Sequence, residues 1–291
     1  FRKGGDAALG KADRLSWPAI LDHAKEIVES YDTPVTLRQL FYRLVADGTL
    51  PNLKMRYSQL SHHSAIARRG GDFPALLDRS SGIERYKSFT TPASAVEYAA
   101  LVYRRDRTEG QEWTVYLGVE KAGMSAQLAS WFTEPMGVPH IALGGYASQA
   151  LCDLVRGDVA RQDRQAVLIY AGDHDPSGED IDRDLEARTG CFDKVIRVAL
   201  TPGQVEQYDL PENSDPEVME KLGKDTRADA FKARNGNLVQ YEVDALPPDV
   251  LRGLYQDAID KFWDSDAYES SLEREEEERG RLEELVDLLG D

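Results

Sequence analysis

AVLIYAGDHDPSGEDIDRDLEARTG, residues 166–190, is the stretch that decides the fold. Its first seven residues form an apolar run rich in β-branched and aromatic side chains, the pattern of a strand buried on both faces. Asp173 and Asp175 follow at once, and Pro176-Ser177-Gly178 then opens a helix that stops at Gly190. Strand, acids and helix in this order describe the carboxyl edge of a parallel sheet, where strand-to-helix turns gather.

Upstream, WTVYLGV (113–119) reads as a strand, AGMSAQLASWF (122–132) as a helix, HIALG (140–144) as a strand and ASQALCDLVRG (147–157) as a helix. Downstream, VIRVAL (195–200) supplies a fourth strand. Strands separated by single helices predict an α/β domain with a four-stranded, mainly parallel sheet flanked by helices. Beyond it, LVQYEV (238–243) is strand-like, Leu246-Pro247-Pro248-Asp249 introduces a helix, and an acidic helix closes the chain.

The first 110 residues have a different texture. Residues 17–31 and 37–48 read as helices, the second capped by Thr36, and 54–69 as a third. FPALLDRSSGIERYKSF (73–89) carries a Ser-Ser-Gly turn between short apolar pieces and is expected to form a β-wing. Three helices and a hairpin predict a winged helix-turn-helix, so the expected division is 1–110 and 111–291.

Of the 291 residues, 41% are hydrophobic, and no apolar run approaches the roughly 18–20 residues of a membrane span. No signal-peptide pattern follows the opening Phe1, and Cys152 and Cys191 offer neither a disulfide framework nor metal-ligand spacing. The expected location is cytoplasmic, in association with DNA. A net charge of −17 and a pI near 4.8 argue against a partner rich in phosphates. The charge is unevenly spread, however: residues 1–110 carry +4 and residues 111–291 carry −21. Residues 264–291 alone hold −9, and their run Glu275–Glu278 is expected to be a solvated helix face or a frayed tail. Lys54, Arg56, Arg68 and Arg69 make the third helix the expected contact with DNA phosphates. His62 and His63 on the same helix are expected at the surface.

Three acids fall at strand ends. Glu120 follows the first strand, and Asp173 and Asp175, at i and i+2, follow the third. Carboxylates so placed can share one hard cation, and with waters they suit the octahedral preference of Mg²⁺. The plain alternative makes each aspartate a helix cap and pairs Glu120 with Lys121 or a surface arginine.

LGVEKAGMSAQL (117–128) together with LIYAGDHDPSGEDI (168–181) resembles a Toprim domain, the metal-binding fold of type IA and type II topoisomerases, DnaG-type primases and OLD-family nucleases. Within that group the Val-Glu-Lys and Asp-x-Asp-Pro-x-Gly phrases are most similar to the topoisomerase VI A subunit and its meiotic relative Spo11. YEVDAL (241–246) resembles a late Glu-x-x-Ala-Leu phrase of that family, and TLRQLFYRL (36–44) its Arg-x-x-aromatic-Tyr segment. The resemblance implies that Tyr42, preceded by Phe41, is a catalytic tyrosine. It also implies Mg²⁺, or Mn²⁺, at Glu120, Asp173 and Asp175. Lys121, next to this cluster, is open between a DNA-phosphate contact and a surface lysine. The resemblance further implies a homodimer in which the tyrosine of one subunit works with the metal of the other. No Walker loop is present in the sequence, so strand passage would need a separate ATPase subunit; the alternative is a chain that only cleaves. One departure stands out. The family's acidic phrase after the second strand is replaced by Gly144-Gly145-Tyr146-Ala147-Ser148, which leaves a fourth acidic contact missing or displaced.

Tyrosine attack on a phosphodiester needs a phenolate-like oxygen, and free tyrosine has a pKa of about 10. Arg38, four residues before Tyr42 on a helix, would share its face and could steady both the phenolate and the phosphate. The main rival is a hydrolytic nuclease that uses the same metal site without a covalent step. A second rival is a DNA-binding protein with no catalysis. His174 is open between a proton donor and a solvent-facing spacer, and Tyr42 between a nucleophile and a core aromatic.

Overall fold

The computed structural model describes residues 16–77 and 86–289, and the chain divides into two compact units, Phe1–Leu77 and Asp78–Asp291. In the first unit α1 (Trp17–Glu29), α2 (Leu37–Ala46) and α3 (Lys54–Gly70) pack on one another. Thr36 starts α2 with a capping box: its hydroxyl accepts the Gln39 N–H at 3.2 Å, and the Gln39 side chain accepts the Thr36 N–H at 2.9 Å. Ile20 and Ala24 of α1, Leu40, Phe41 and Leu44 of α2, and Leu60 of α3 close a single core. Gly71 ends α3 at φ 83°, a left-handed position that favours glycine. The Ser-Ser-Gly turn of the hairpin expected over 73–89 falls within residues 78–85, outside the described residues.

The second unit contains α4 (Pro92–Val102) and β1 (Trp113–Val119), followed by a helical stretch through α5 (Ser125–Leu128) and α6 (Glu134–Met136). Next come β2 (His140–Ala142), α7 (Gln149–Gln162), β3 (Gln165–Ala171), α8 (Gly178–Thr189) and β4 (Lys194–Ala199). The four strands are parallel, in the order β2-β1-β3-β4. Their side chains alternate between two apolar layers. Val115, Leu117, Val167 and Ile169 face Leu128, Phe132 and Tyr255, whereas Tyr116, Leu168 and Tyr170 face Val155 and Leu185. The remainder is α9 (Pro202–Gln207), α10 (Pro216–Gly223), α11 (Ala228–Asn235), α12 (Pro248–Ile259) and α13 (Ser265–Leu289). Among the described residues no helix is long and apolar enough to cross a membrane.

Three sequence expectations meet a different arrangement. Residues 238–243 do not join the sheet; Tyr241 forms an isolated antiparallel bridge with His174, and a single 3₁₀ turn follows at Val243–Ala245. The strand-like pattern is real, but its hydrogen bonds go to the loop after β3. Residues 86–110, assigned to the first half by the division at 110, lie within the second compact unit, where α4 packs along α13.

The run Glu275–Glu278 is not one solvated face. At helical spacing Glu275 and Glu278 turn inward, and Glu276 and Glu277 stay exposed. Glu275 is only 2% exposed and takes Arg107 in a two-point grip, Nη2 to Oε1 at 2.5 Å and Nε to Oε2 at 2.9 Å. It also accepts the Arg105 N–H at 3.0 Å, and Glu278 accepts Arg105 Nη1 at 2.7 Å. The hydrogen bond from Arg107 holds the Glu275 carboxyl below its usual range. A depressed carboxyl stabilises the fold fully above the ordinary carboxylate pKa, and that contribution disappears as pH falls through the lowered value. Arg107→Ala is therefore expected to cost about 2 kcal/mol at neutral pH, since it takes the two-point partner from a buried carboxylate and leaves it the Arg279 guanidinium at 2.8 Å and the Arg105 N–H. Urea melts from pH 7 down into the acid range check this: the gap between wild type and Arg107→Ala should close as Glu275 protonates.

Candidate functional site

β1 and β3 run side by side to the same edge, with Val119 opposite Ala171, and the residues that follow them meet there. The chain leaves β1 toward β2 on one side, and β3 lies on the other. The gap between β1 and β3 is thus the switch point at which open parallel sheets bind ligands. Glu120 sits on one lip and Asp173 on the other. Glu120 Oε2 accepts the Asp173 backbone N–H at 2.9 Å, which ties the glutamate across the gap to the turn after β3.

Asp173 is 1% exposed. Its Oδ1 accepts the Val243 N–H at 2.9 Å, and its Oδ2 takes the Lys121 ammonium. Lys121 also holds Glu242 Oε2 at 2.5 Å. Glu242, itself buried, is thus a fourth acid of the site, which sequence reasoning did not single out. The one signal was the Glu-x-x-Ala-Leu phrase that begins with it. The loop after β2 brings no acid. Its Gly144, at φ 66°, donates its N–H to the Glu120 carbonyl at 2.7 Å, and Ser148 caps α7.

Asp175 is buried beside them and serves the start of α8, its Oδ1 accepting the Gly178 N–H at 2.7 Å and its Oδ2 the Gln240 amide at 2.7 Å. Gly178 has no room for a side chain, since a Cβ there would lie 2.3 Å from the Asp173 carbonyl oxygen. This close approach accounts for the glycine three residues after the second aspartate. Segment 240–243 clamps the whole turn: His174 and Tyr241 exchange backbone hydrogen bonds at 2.9 and 3.1 Å, next to the Gln240 and Val243 contacts.

Burial raises the Glu120 carboxyl above its usual range, with Lys121 pulling it back. Asp173 is pushed well above its range by burial first and by the neighbouring Glu242 next, against the opposing pull of Lys121. These carboxylates repel one another, and the ammonium only partly offsets them. The Tyr170 hydroxyl is fully buried and without a hydrogen-bond partner among the described residues; burial and then Glu120 raise its pKa.

His174 is not a solvent-facing spacer. It is 3% exposed between Phe231 and Tyr241, its Nδ1 is 3.0 Å from Glu179 Oε1, and burial lowers its pKa. Arg197 braces the loop from behind, donating to the Gly172 and Asp173 carbonyls at 3.1 and 2.6 Å. Beside the turn lies a cavity of about 500 Å³ lined by Arg183, Arg197, Arg227 and Arg234 among acids that include Glu179 and Asp180.

The acids are hard oxygen donors, of the chemistry that suits Mg²⁺ or Mn²⁺. Among the described residues, however, no three His, Cys, Asp or Glu side chains stand in a set arranged to hold a metal ion. The cation found between Asp173 and Glu242 is the Lys121 ammonium.

In the first unit, Arg38 and Tyr42 share a face of α2, with the Arg38 guanidinium carbon 5.4 Å from the Tyr42 ring centroid. The Tyr42 ring is half-buried, edge-on to Phe41 at 5.4 Å, and Arg38 is exposed. Lys54, Arg68 and Arg69 are exposed at the two ends of α3, and Arg56 is half-buried, donating to Gln59 at 2.8 Å. His62 is exposed, whereas His63 stacks on Trp17 at 4.3 Å. Comparison with models of known protein families and with curated proteins finds no match to this chain.

Proposed function

We propose that this chain is a divalent-metal-dependent DNA-cleaving enzyme of Toprim type, similar to the topoisomerase VI A subunit, with a winged-helix N-terminal unit carrying the nucleophile. The observation that carries the reading is the meeting of Glu120 with Asp173 at the switch point of the parallel sheet, where an Asp-x-Asp turn is buried among mutually repelling acids. Glu120, Asp173 and Asp175 would hold Mg²⁺ or Mn²⁺. When bound, the ion would neutralise phosphate charge and steady the leaving 3′ oxygen.

Tyr42 supplies the attacking oxygen. Its Oη forms a bond to phosphorus, the bond from phosphorus to the 3′ oxygen breaks, and the phenolic proton is exchanged for one on the 3′ hydroxyl. One phosphodiester replaces another, so the 5′-phosphotyrosyl link can be reversed. Arg38, exposed over the Tyr42 ring, steadies the developing phenolate and the phosphate. Lys54, Arg68 and Arg69 contact the DNA backbone, and Arg56 adds to them from a half-buried position. The resemblance also proposes a homodimer that pairs Tyr42 of one subunit with the acids of the other, and an ATPase supplied by a separate subunit.

Hydrolysis without a covalent step is the second reading, and the half-burial of Tyr42 against Phe41 favours it. Supercoiled and branched DNA incubated with Mg²⁺ and run with and without protease separates the readings. The covalent reading expects cut DNA that enters the gel at its proper position only after proteolysis. Products already free of protein support hydrolysis, and uncut but retarded DNA supports binding alone.

A further inference from the structure

We infer that the Lys121 ammonium is a built-in stand-in for the divalent cation, holding Asp173 and Glu242 until the ion displaces it, and that Glu242 is the fourth carboxylate of the cation site. The inference rests on the metal reading proposed above. Three facts lead to it. The ammonium bridges an acid from the turn after β3 and an acid from the clamp segment, two stretches of chain far apart in sequence. Glu120, Asp173, Asp175 and Glu242 are all partly or wholly buried there, so the Lys121 charge by itself offsets only part of theirs. Lys121 is also the right residue to move. A compact charge on a flexible four-carbon stem can leave without disturbing the backbone. The Asp173 contacts to the Val243 and Lys121 groups are separate, so the clamp hydrogen bond at 2.9 Å survives the departure.

The physical expectation is competition. Ammonium and metal ion seek the same carboxylate oxygens, so removing the ammonium removes a rival charge. Once displaced, Lys121 remains on the lip of the site, where its charge suits a DNA phosphate.

The test is Mn²⁺ binding by calorimetry on the full chain, together with melting temperature with and without Mn²⁺, for wild type, Lys121→Gln, Lys121→Met and Glu242→Gln. Lys121→Gln and Lys121→Met should bind Mn²⁺ about tenfold or more tightly than wild type, melt lower without the ion, and recover when it is added. Glu242→Gln should bind about tenfold more weakly than wild type. If both Lys121 variants bind Mn²⁺ no tighter than wild type, the stand-in role is overturned while the metal reading stands. If both remain unfolded in saturating Mn²⁺, the ion does not replace the ammonium and the inference also falls. If neither wild type nor any variant binds Mn²⁺, the metal reading itself fails. Unchanged affinity in Glu242→Gln removes Glu242 from the site.

Discussion

Tyr42→Phe should leave the first unit folded and the DNA intact. The phenylalanine ring keeps the edge-on contact with Phe41 and the place beneath the Arg38 guanidinium, so little packing is lost. What disappears is the only oxygen the ring can offer to phosphorus. Deleting a nucleophile typically removes about three or more orders of magnitude of rate, and the whole covalent product goes with it. The measurement is Mg²⁺-dependent cleavage with protein-linked ends scored after denaturation, beside a melting curve showing that the variant is folded. Wild-type cutting by Tyr42→Phe would hand the site to hydrolysis.

Asp173→Asn is expected to be as damaging from the other unit, for a different reason. Asparagine still accepts the Val243 N–H through its Oδ1, and it removes a negative charge that burial and Glu242 make costly; its NH2 then faces the Lys121 ammonium, which keeps Glu242 as a partner. The melting temperature should therefore shift by only a few degrees. Cleavage should drop by about a thousandfold, the rate equivalent of the several kcal/mol that a bound divalent ion contributes to a phosphoryl transition state. The comparison is initial cleavage rate in Mg²⁺ and in excess EDTA. Wild-type cutting that persists in EDTA, or an Asp173→Asn variant that cuts like wild type, would refute the role assigned to these acids.

The sheet and the first two acids were legible because they depend on local pattern. Runs such as Trp113–Val119 and Gln165–Ala171 are apolar on both faces, and parallel strands linked by single helices must end on the same edge. Glu120 and Asp173 therefore had to be near neighbours once the strands were adjacent. Glu242 was not legible in that way. It arrives from a segment about seventy residues further along, and nothing in the periodicity of 238–243 says that its hydrogen bonds go to a turn rather than a sheet. The same limit explains Glu275. A run of four glutamates looks solvated until the helix turns two of them toward arginines more than 160 residues away in sequence. His174 stayed open in the sequence for want of Phe231 and Tyr241, partners that only tertiary packing supplies.

The grip of α13 on Arg105 and Arg107 also changes how the chain meets polyanions. Those guanidiniums swell the positive tally of the first 110 residues, but Glu109, Glu275 and Glu278 already occupy them. Residues 1–77 carry a net charge of only +3, and among the described residues the exposed cations lie mostly on α3, with Arg38 on α2. An acidic helix thus works as an internal mask. A chain shortened before Ser265 would bare a second cationic surface and stick to heparin or to any nucleic acid more firmly than the intact protein, without having gained any selectivity.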